Sequence, residues 1–247
     1  MSYAFPLSIR YDKKKEVYTM IRCSFDEKYV PILDKFGLST VPRSLLCLLS
    51  YGKKEYICQE EVPVSHLLIV LKGRAKILTY TEEGKAFMHS FSEEGSFIGE
   101  VELLTQKKGA ALYVQAVTPM ECIGIPLREG SAILRKNLQF MNCLSELLAA
   151  KLMSANYNAS RMVLYTLENR LCSYIEMSSP NLVFEEPLTQ VSEILGTSYR
   201  HLLRTIEKLC REEILKKGSH GYHIRDLSAL HQRGRGFYSN KSALPHL

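Results

Sequence analysis

The sequence predicts an α+β chain with three parts in order: an antiparallel β sandwich or barrel, a long helix, and a C-terminal winged helix-turn-helix. Three observations predict it. Between residues 52 and 128, apolar segments of five to seven residues alternate with glycine turns. From about Ser131 the apolar spacing changes to steps of three and four. Near the end, LTQVSEILGTSYRHLLRTIEKL (Leu188 to Leu209) holds two short helical patterns joined at one glycine.

The elements follow in chain order. Pro31 to Leu49 reads as helical, with PRSLLCLLS as a short apolar helix start. LLIVL at Leu67–Leu71 reads as a strand, followed by a Lys72-Gly73 turn, AKILTYT, a Glu83-Gly84 turn and AFMHSF. SEEGSFIGE is followed by two further strands, ALYVQAV and MECIGI. Glycine turns at this spacing suit antiparallel neighbours, not a βαβ sheet. Ile133, Leu134, Leu138, Met141, Leu144, Leu148 and Leu152 then trace one apolar stripe. A stripe of that length exceeds the usual helix and suits a seam between two copies of the chain, the other reading being a core helix packed within its own chain. The asparagines of SANYNAS (154–160) predict a break, VLYTLENRLCSYI a second helix, and Ser179-Pro180 its end. From Ser228 onward the chain reads as a basic, flexible tail. The predicted parts are 1–130, 131–158, 159–227 and 228–247.

Composition narrows the class. The chain has 247 residues, 46% hydrophobic and 23% charged, which suits a globular protein of two domains. Its apolar runs are much shorter than a membrane span requires, and MSYAFPLSIRYDKKK lacks the apolar core of a secretory signal. The expected location is therefore cytoplasmic, without a membrane partner. The seven cysteines (23, 47, 58, 122, 143, 172, 210) are odd in number and at least 11 residues apart. That spacing suits buried thiols better than a disulfide framework or a Cys-x-x-Cys metal knuckle. The net charge of +6 is carried entirely by Thr197–Leu247, where 4 Lys and 6 Arg face 3 Glu and 1 Asp. An anionic partner is expected to meet this end.

The paired helices explain how. Thr189 is the expected N-cap of the first, with Val191, Ile194 and Leu195 inward. Gly196 allows a left-handed turn, and Thr197-Ser198 restarts a helix. In the second helix Leu202, Leu203, Ile206, Leu209 and Cys210 form the buried stripe, with Arg200, Arg204, Lys208 and Arg211 opposite. Ile214-Leu215 and Tyr222-His223-Ile224 can pair about a Gly218–Gly221 tip as a wing. This arrangement points to duplex DNA. A recognition helix enters the major groove N-terminus first, so Ser198, Tyr199, Arg200 and Arg204 are the candidate base readers. Thr189, Ser198, Lys216, Lys217 and His220 are candidates for holding phosphates.

The order of parts resembles bacterial transcription regulators of the cAMP receptor protein and fumarate–nitrate regulator type. The resemblance covers roughly residues 30–227 and rests on YGKKEYICQEEVPVSHLLIVLKGRAKI, GSFIGEVELL, the long helix and LTQVSEILGTSYRHLLRTIEKL. It implies a cyclic-nucleotide-binding-like jelly roll, a dimerising helix, a winged helix-turn-helix and a pseudo-palindromic DNA site. Its implied partners are duplex DNA and a second copy of the chain, with RNA polymerase left open as another. Gly99 and Glu100 match a phosphate-facing amide and a ribose-contacting glutamate, making them candidate effector residues.

Two departures matter. Aligned on AVT, Ala110 and Ala111 stand where cyclic-nucleotide binders of the family carry Arg-Ser or Arg-Thr. Alanine offers a cyclic phosphate neither charge nor hydroxyl, and Lys107 and Lys108 lie upstream. The expectation is an effector pocket not tuned to cAMP, with the effector unknown and no cofactor assigned. The closely spaced N-terminal cysteines of iron–sulfur members are also missing. Two other classes are weighed: an adaptor whose winged helix binds proteins, and a cupin-type metal enzyme. The second would have only His66 and His89 in the β region, without His-x-His. No nucleophile elbow, P-loop or catalytic dyad appears, so the chain reads as a non-enzyme.

Overall fold

The computed structural model describes residues 21–82, 86–179 and 181–238, with the backbone alone over 154–164. The predicted Glu83-Gly84 turn, the N-terminal stretch MSYAFPLSIRYDKKK and Pro180 fall outside the described residues. The chain divides into two compact units. One is built from residues up to Ile77 and from Ser92 to Ala150; the other is built from Leu78–Phe91 and from Lys151 onward.

Two sheets form the first architecture. The larger has the order β1-β2-β9-β4-β7, from β1 (Ile21–Ser24), β2 (Cys47–Tyr51), β9 (Met120–Pro126), β4 (His66–Lys72) and β7 (Phe97–Ile98). The smaller has the order β3-β8-β5-β6, from β3 (Tyr56–Cys58), β8 (Tyr113–Ala116), β5 (Ala75–Tyr80) and β6 (Ala86–Ser92). Every ladder of the larger sheet is antiparallel. This is the jelly-roll-like antiparallel fold that the resemblance implies.

β4 shows why its sequence is a continuous apolar run. Successive side chains point to opposite faces. Leu67, Ile69 and Leu71 therefore enter a core with Leu33, Phe36, Leu134 and Phe140. Leu68 and Val70 enter the core between the sheets with Leu49, Ala75, Val114 and Cys122. A strand buried on both faces loses the apolar/polar alternation of a half-exposed one.

The helical reading of Pro31–Leu49 is corrected. Only α1 (Val30–Lys35) is α-helical, and Cys47–Tyr51 is a strand. Its apolar run fits either state locally. Pairing decides it, since Cys47–Tyr51 registers against Met120–Gly124 on one side and Ile21–Ser24 on the other.

The helical stripe divides elsewhere than expected. α2 (Glu100–Thr105) precedes α3 (Leu127–Lys136), and α4 runs from Leu138 to Leu164, 27 residues straight through the predicted break at 154–160. The break lies at Asn137, whose backbone leaves the helical region. Its side-chain oxygen accepts from the Phe140 amide at 3.0 Å and its nitrogen donates to the Gly37 carbonyl at 2.7 Å. Asparagine is a strong N-cap, and here the cap is also tied to a loop distant in sequence.

The second unit holds α5 (Leu167–Ser178), β10 (Val183–Phe184), α6 (Leu188–Ile194), α7 (Tyr199–Arg211), β11 (Leu215–Gly218), β12 (Gly221–Ile224) and α8 (Leu227–Gly234). Thr166 and Asn169 form a reciprocal capping box at the start of α5. Phe91 belongs with this unit: its ring lies 6.0 Å from those of Tyr174 and Tyr238.

A flexible tail from Ser228 is also corrected for residues 228–238. Asp226 caps α8, accepting from the Ala229 amide at 2.8 Å. Leu230, Phe237 and Tyr238 are buried, and the Tyr238 amide donates to Ser173 Oγ at 2.9 Å. Residues 239–247 lie outside the described residues.

Candidate nucleic-acid interface and effector cavity

α6 and α7 form the predicted pair. The Gly196 and Thr197 amides donate back to the carbonyls of Glu193 and Ser192 at 3.0 and 2.9 Å, which closes α6. Gly196 makes that turn at φ +60°, a left-handed conformation that costs glycine little. Ser198 caps α7, its hydroxyl accepting from the His201 amide at 3.3 Å.

Thr189 is not the N-cap of α6. Pro187 holds that position and Thr189 is an exposed residue inside the first turn, its carbonyl accepting from Ser192 Oγ at 2.7 Å. The helix begins earlier because the Val191 amide bonds to the Pro187 carbonyl at 3.1 Å.

α7 is strongly two-faced. Leu202, Thr205, Ile206 and Leu209 are buried, and Leu203 and Cys210 half-buried. Ser198, Tyr199, Arg200, Arg204 and Arg211 are exposed. No described residue forms an ion pair with Arg200 or Arg204. Lys208 is different, because its ammonium donates to Glu168 Oε2 on α5 at 2.6 Å. The basic face is therefore narrower than the sequence suggests.

The wing forms at the expected residues. β11 and β12 pair antiparallel, with Leu215 opposite Ile224, Lys216 opposite His223 and Lys217 opposite Tyr222. Lys216, Lys217 and His220 are all exposed. β10 adds a third strand, pairing Val183 with His223 and Phe184 with Tyr222; a two-residue strand leaves no periodicity to read.

Sequence reasoning also missed the frame behind these helices. Arg170 Nη1 on α5 donates to the Leu195 carbonyl at 2.7 Å, bracing the C-terminal turn of α6. Glu168 accepts from Lys208 and, at 2.8 Å, from Arg233, which also donates to Glu212. One cluster thus joins α5, α7 and α8. Burial opposes ionisation of Glu168, but the hydrogen bonds and charges of Lys208 and Arg233 outweigh it and lower its pKa. The signal for α8 was available as Asp226 followed by Leu227 and Leu230. For Arg170 there was none.

The first unit holds a small open cavity lined by Cys58, Ile77, residues 97–102, Ala110, Ala111, Leu112 and Val114. Gly99 sits at φ +92°, capping α2, and a β-carbon there would lie 2.7 Å from the His66 carbonyl oxygen. This close approach gives Gly99 a packing role beside the one the resemblance implies. Glu100 and Glu102 are both buried. A carboxylate oxygen of Glu102 accepts from the Ala111 amide at 2.9 Å. Ala110 is buried between the sheets, and Lys107 and Lys108 are exposed and absent from the lining.

Cys58 also lines the cavity. Burial, then the charges of Glu102 and Glu100, push its thiol up to about 12. It is a protonated thiol at neutral pH, not a reactive thiolate. Cys47, Cys122, Cys143 and Cys172 are buried too, as the spacing predicts. Among the described residues no group of three or more His, Cys, Asp or Glu is placed to hold a metal ion. Nor is any helix there long and apolar enough to cross a membrane.

Two antiparallel sheets, a cavity and a winged helix-turn-helix with an exposed basic face are the parts expected of a DNA-binding transcription regulator. Comparison with known proteins agrees. Residues 48–137 match the cyclic nucleotide-binding domain. The chain is 30% identical to Regulatory protein YeiL of Escherichia coli O157:H7 over 74% of this chain and 83% of that one. It is 21% identical to the cAMP-activated global transcriptional regulator CRP of Salmonella typhimurium over 70% of this chain and 86% of the other. A crystal structure of a CRP/FNR-family regulator from Eubacterium rectale superposes with a TM-score of 0.69 at 16% identity, covering 85% of this chain and 100% of that one. The chain belongs to the CRP/FNR family of transcription regulators.

Proposed function

We propose that the protein is a homodimeric, sequence-specific regulator that reads a pseudo-palindromic site with paired α7 helices, and that its effector cavity is not tuned to cAMP. The observation that carries this reading is the exposed face of α7. Arg200 and Arg204 stand opposite the buried stripe without ion-pair partners among the described residues, one element away from Lys216 and Lys217. Desolvated, already paired arginines would have to give up a bond to reach a base; these do not.

Ser198, Tyr199, Arg200 and Arg204 occupy the N-terminal half of α7, the part of a recognition helix that meets base edges. An arginine fork can bond guanine O6 and N7 together. Thr189, Lys216, Lys217 and His220 supply hydroxyl, ammonium and imidazole groups suited to phosphate, which sets orientation and salt dependence without reading sequence.

Dimerisation is supported by α4. Leu138, Leu152 and Met153 expose 74%, 63% and 73% of their surface, and the first two lie two heptads apart. Two copies joined along that helix would present their α7 helices to successive major grooves about 34 Å apart.

The test is selection from random duplex DNA with ligand-free full-length protein, combined with sedimentation to count copies per duplex. An enriched palindrome bound by two copies supports the reading. Enrichment of nothing, with or without added cAMP and cell extract, overturns it in favour of an adaptor that binds proteins.

A further inference from the structure

Within the effector cavity of that proposed function, we propose that Glu102 is the specificity residue: its carboxylate occupies the Ala111 amide as a built-in anion and closes the cavity to anionic ligands. An anion in a cavity needs N–H donors or cations to replace its hydration. Among the described residues the cavity offers backbone N–H groups, at the start of α2 and at Ala111, but no side-chain cation. Among those residues its lining contains no lysine, arginine or histidine, and Ala110 and Ala111 bring only methyl groups besides their backbone.

The Ala110 amide is already committed, donating to the Val62 carbonyl at 2.9 Å. The Ala111 amide is the donor beside it, and Glu102 takes it at 2.9 Å from the first turn of α2. Glu102 is only 9% exposed, so solvent screens its charge weakly. An incoming phosphate aimed at the same amide would displace this carboxylate or meet a like charge at contact. Either outcome opposes binding. Glu100, 8% exposed, stands in the same lining.

The arrangement goes further than a cavity that has lost its phosphate ligands. Loss alone would leave a weak pocket with a free amide at Ala111. Here the amide is satisfied from within, so the loop carrying Ala110 and Ala111 is held against α2 without any ligand. Restoring a cation at residue 110 is therefore not enough to admit a cyclic phosphate; the internal carboxylate must also go.

The experiment compares cAMP binding by calorimetry in the full-length wild-type protein, Ala110→Arg, Ala110→Arg with Glu102→Ala, and Ala110→Arg with Glu102→Gln. Thermal unfolding checks each fold. Wild type should show no saturable binding. Both double variants should bind cAMP at least about tenfold more tightly than Ala110→Arg alone. Equal affinity with and without Glu102, or no binding by folded double variants, overturns the assignment. Ala110 is buried and arginine there risks misfolding, so a second measurement needs no change at that position. In Glu102→Ala, the amide resonance of Ala111 should move saturably on titration with inorganic phosphate, and in wild type it should stay still. Movement in both proteins, or in neither, also overturns the assignment. Neither measurement involves DNA. A wild-type protein that binds cAMP tightly would instead sink the broader reading of the cavity.

Discussion

The Arg170 guanidinium donates to the Leu195 carbonyl at 2.7 Å, so a residue of α5 fixes the turn that sets the angle between α6 and α7. Helix C-termini leave carbonyls unsatisfied, and a cation there meets both the free oxygen and the helix dipole. Arg170→Ala should destabilise the protein by roughly 1.5–3 kcal/mol, the range for a hydrogen bond to a charged group. Urea unfolding measures it. Specific DNA affinity should fall as well; unchanged stability would mean that the turn holds itself.

Arg204 and Lys217 separate reading from holding. Arg204→Ala should cost about 1–3 kcal/mol on the selected site and relax preference at one base position. Lys217→Ala should weaken binding evenly across sequences and reduce the salt dependence by about one phosphate contact. Binding isotherms on specific and random duplexes at several salt concentrations distinguish the two. An altered consensus from Lys217→Ala would contradict its assignment.

The cluster at Glu168 makes stability depend on acid. Its folded-state pKa is lowered, so its contribution is present above the ordinary glutamate value of 4.5 and is lost as pH falls through the lowered one. With Lys208 largely exposed, the contribution is on the order of 1 kcal/mol. Wild type should thus be more stable than Glu168→Gln at neutral pH, and the difference should shrink below that value. A gap that stays constant into acid would exclude the ionic mechanism.

Tyr238 should behave as core. Tyr238→Ala removes a buried ring and should cost about 3–5 kcal/mol, in the range of large aromatic truncations. Truncation after Asp226 should be worse, because it also removes Leu230 and Phe237. Wild-type melting in either variant would restore the flexible tail.

Leu152→Glu combined with Met153→Glu should shift the protein toward monomer in sedimentation and weaken binding to a full palindrome more than to a half-site. The charges would sit on exposed side chains, so the fold should survive, as unfolding curves can verify.

Most of this protein is legible where local chemistry and period agree. The alternation of glycine turns with short apolar runs, the Gly196 turn, the Ser198 cap and the wing about Gly218–Gly221 each depend on neighbours a few residues away. The two-faced pattern of α7 follows from a spacing of three and four. Other features had no such local cause. Cys47–Tyr51 is a strand because β9 and β1 flank it, not because its own residues exclude a helix. The division at Asn137 rather than at 154–160 depends on a bond to Gly37, a hundred residues away. Lys208 reads as part of a basic face, yet Glu168 on another helix has taken it. Ala110 and Ala111 are legible in sequence as alanines at the positions matched to the family's phosphate ligands, but the bond from the Ala111 amide to Glu102 emerges only when α2 and that loop are brought together. Period and turn chemistry act within a few residues; pairing, ion clusters and cavities are set by groups that meet only after folding.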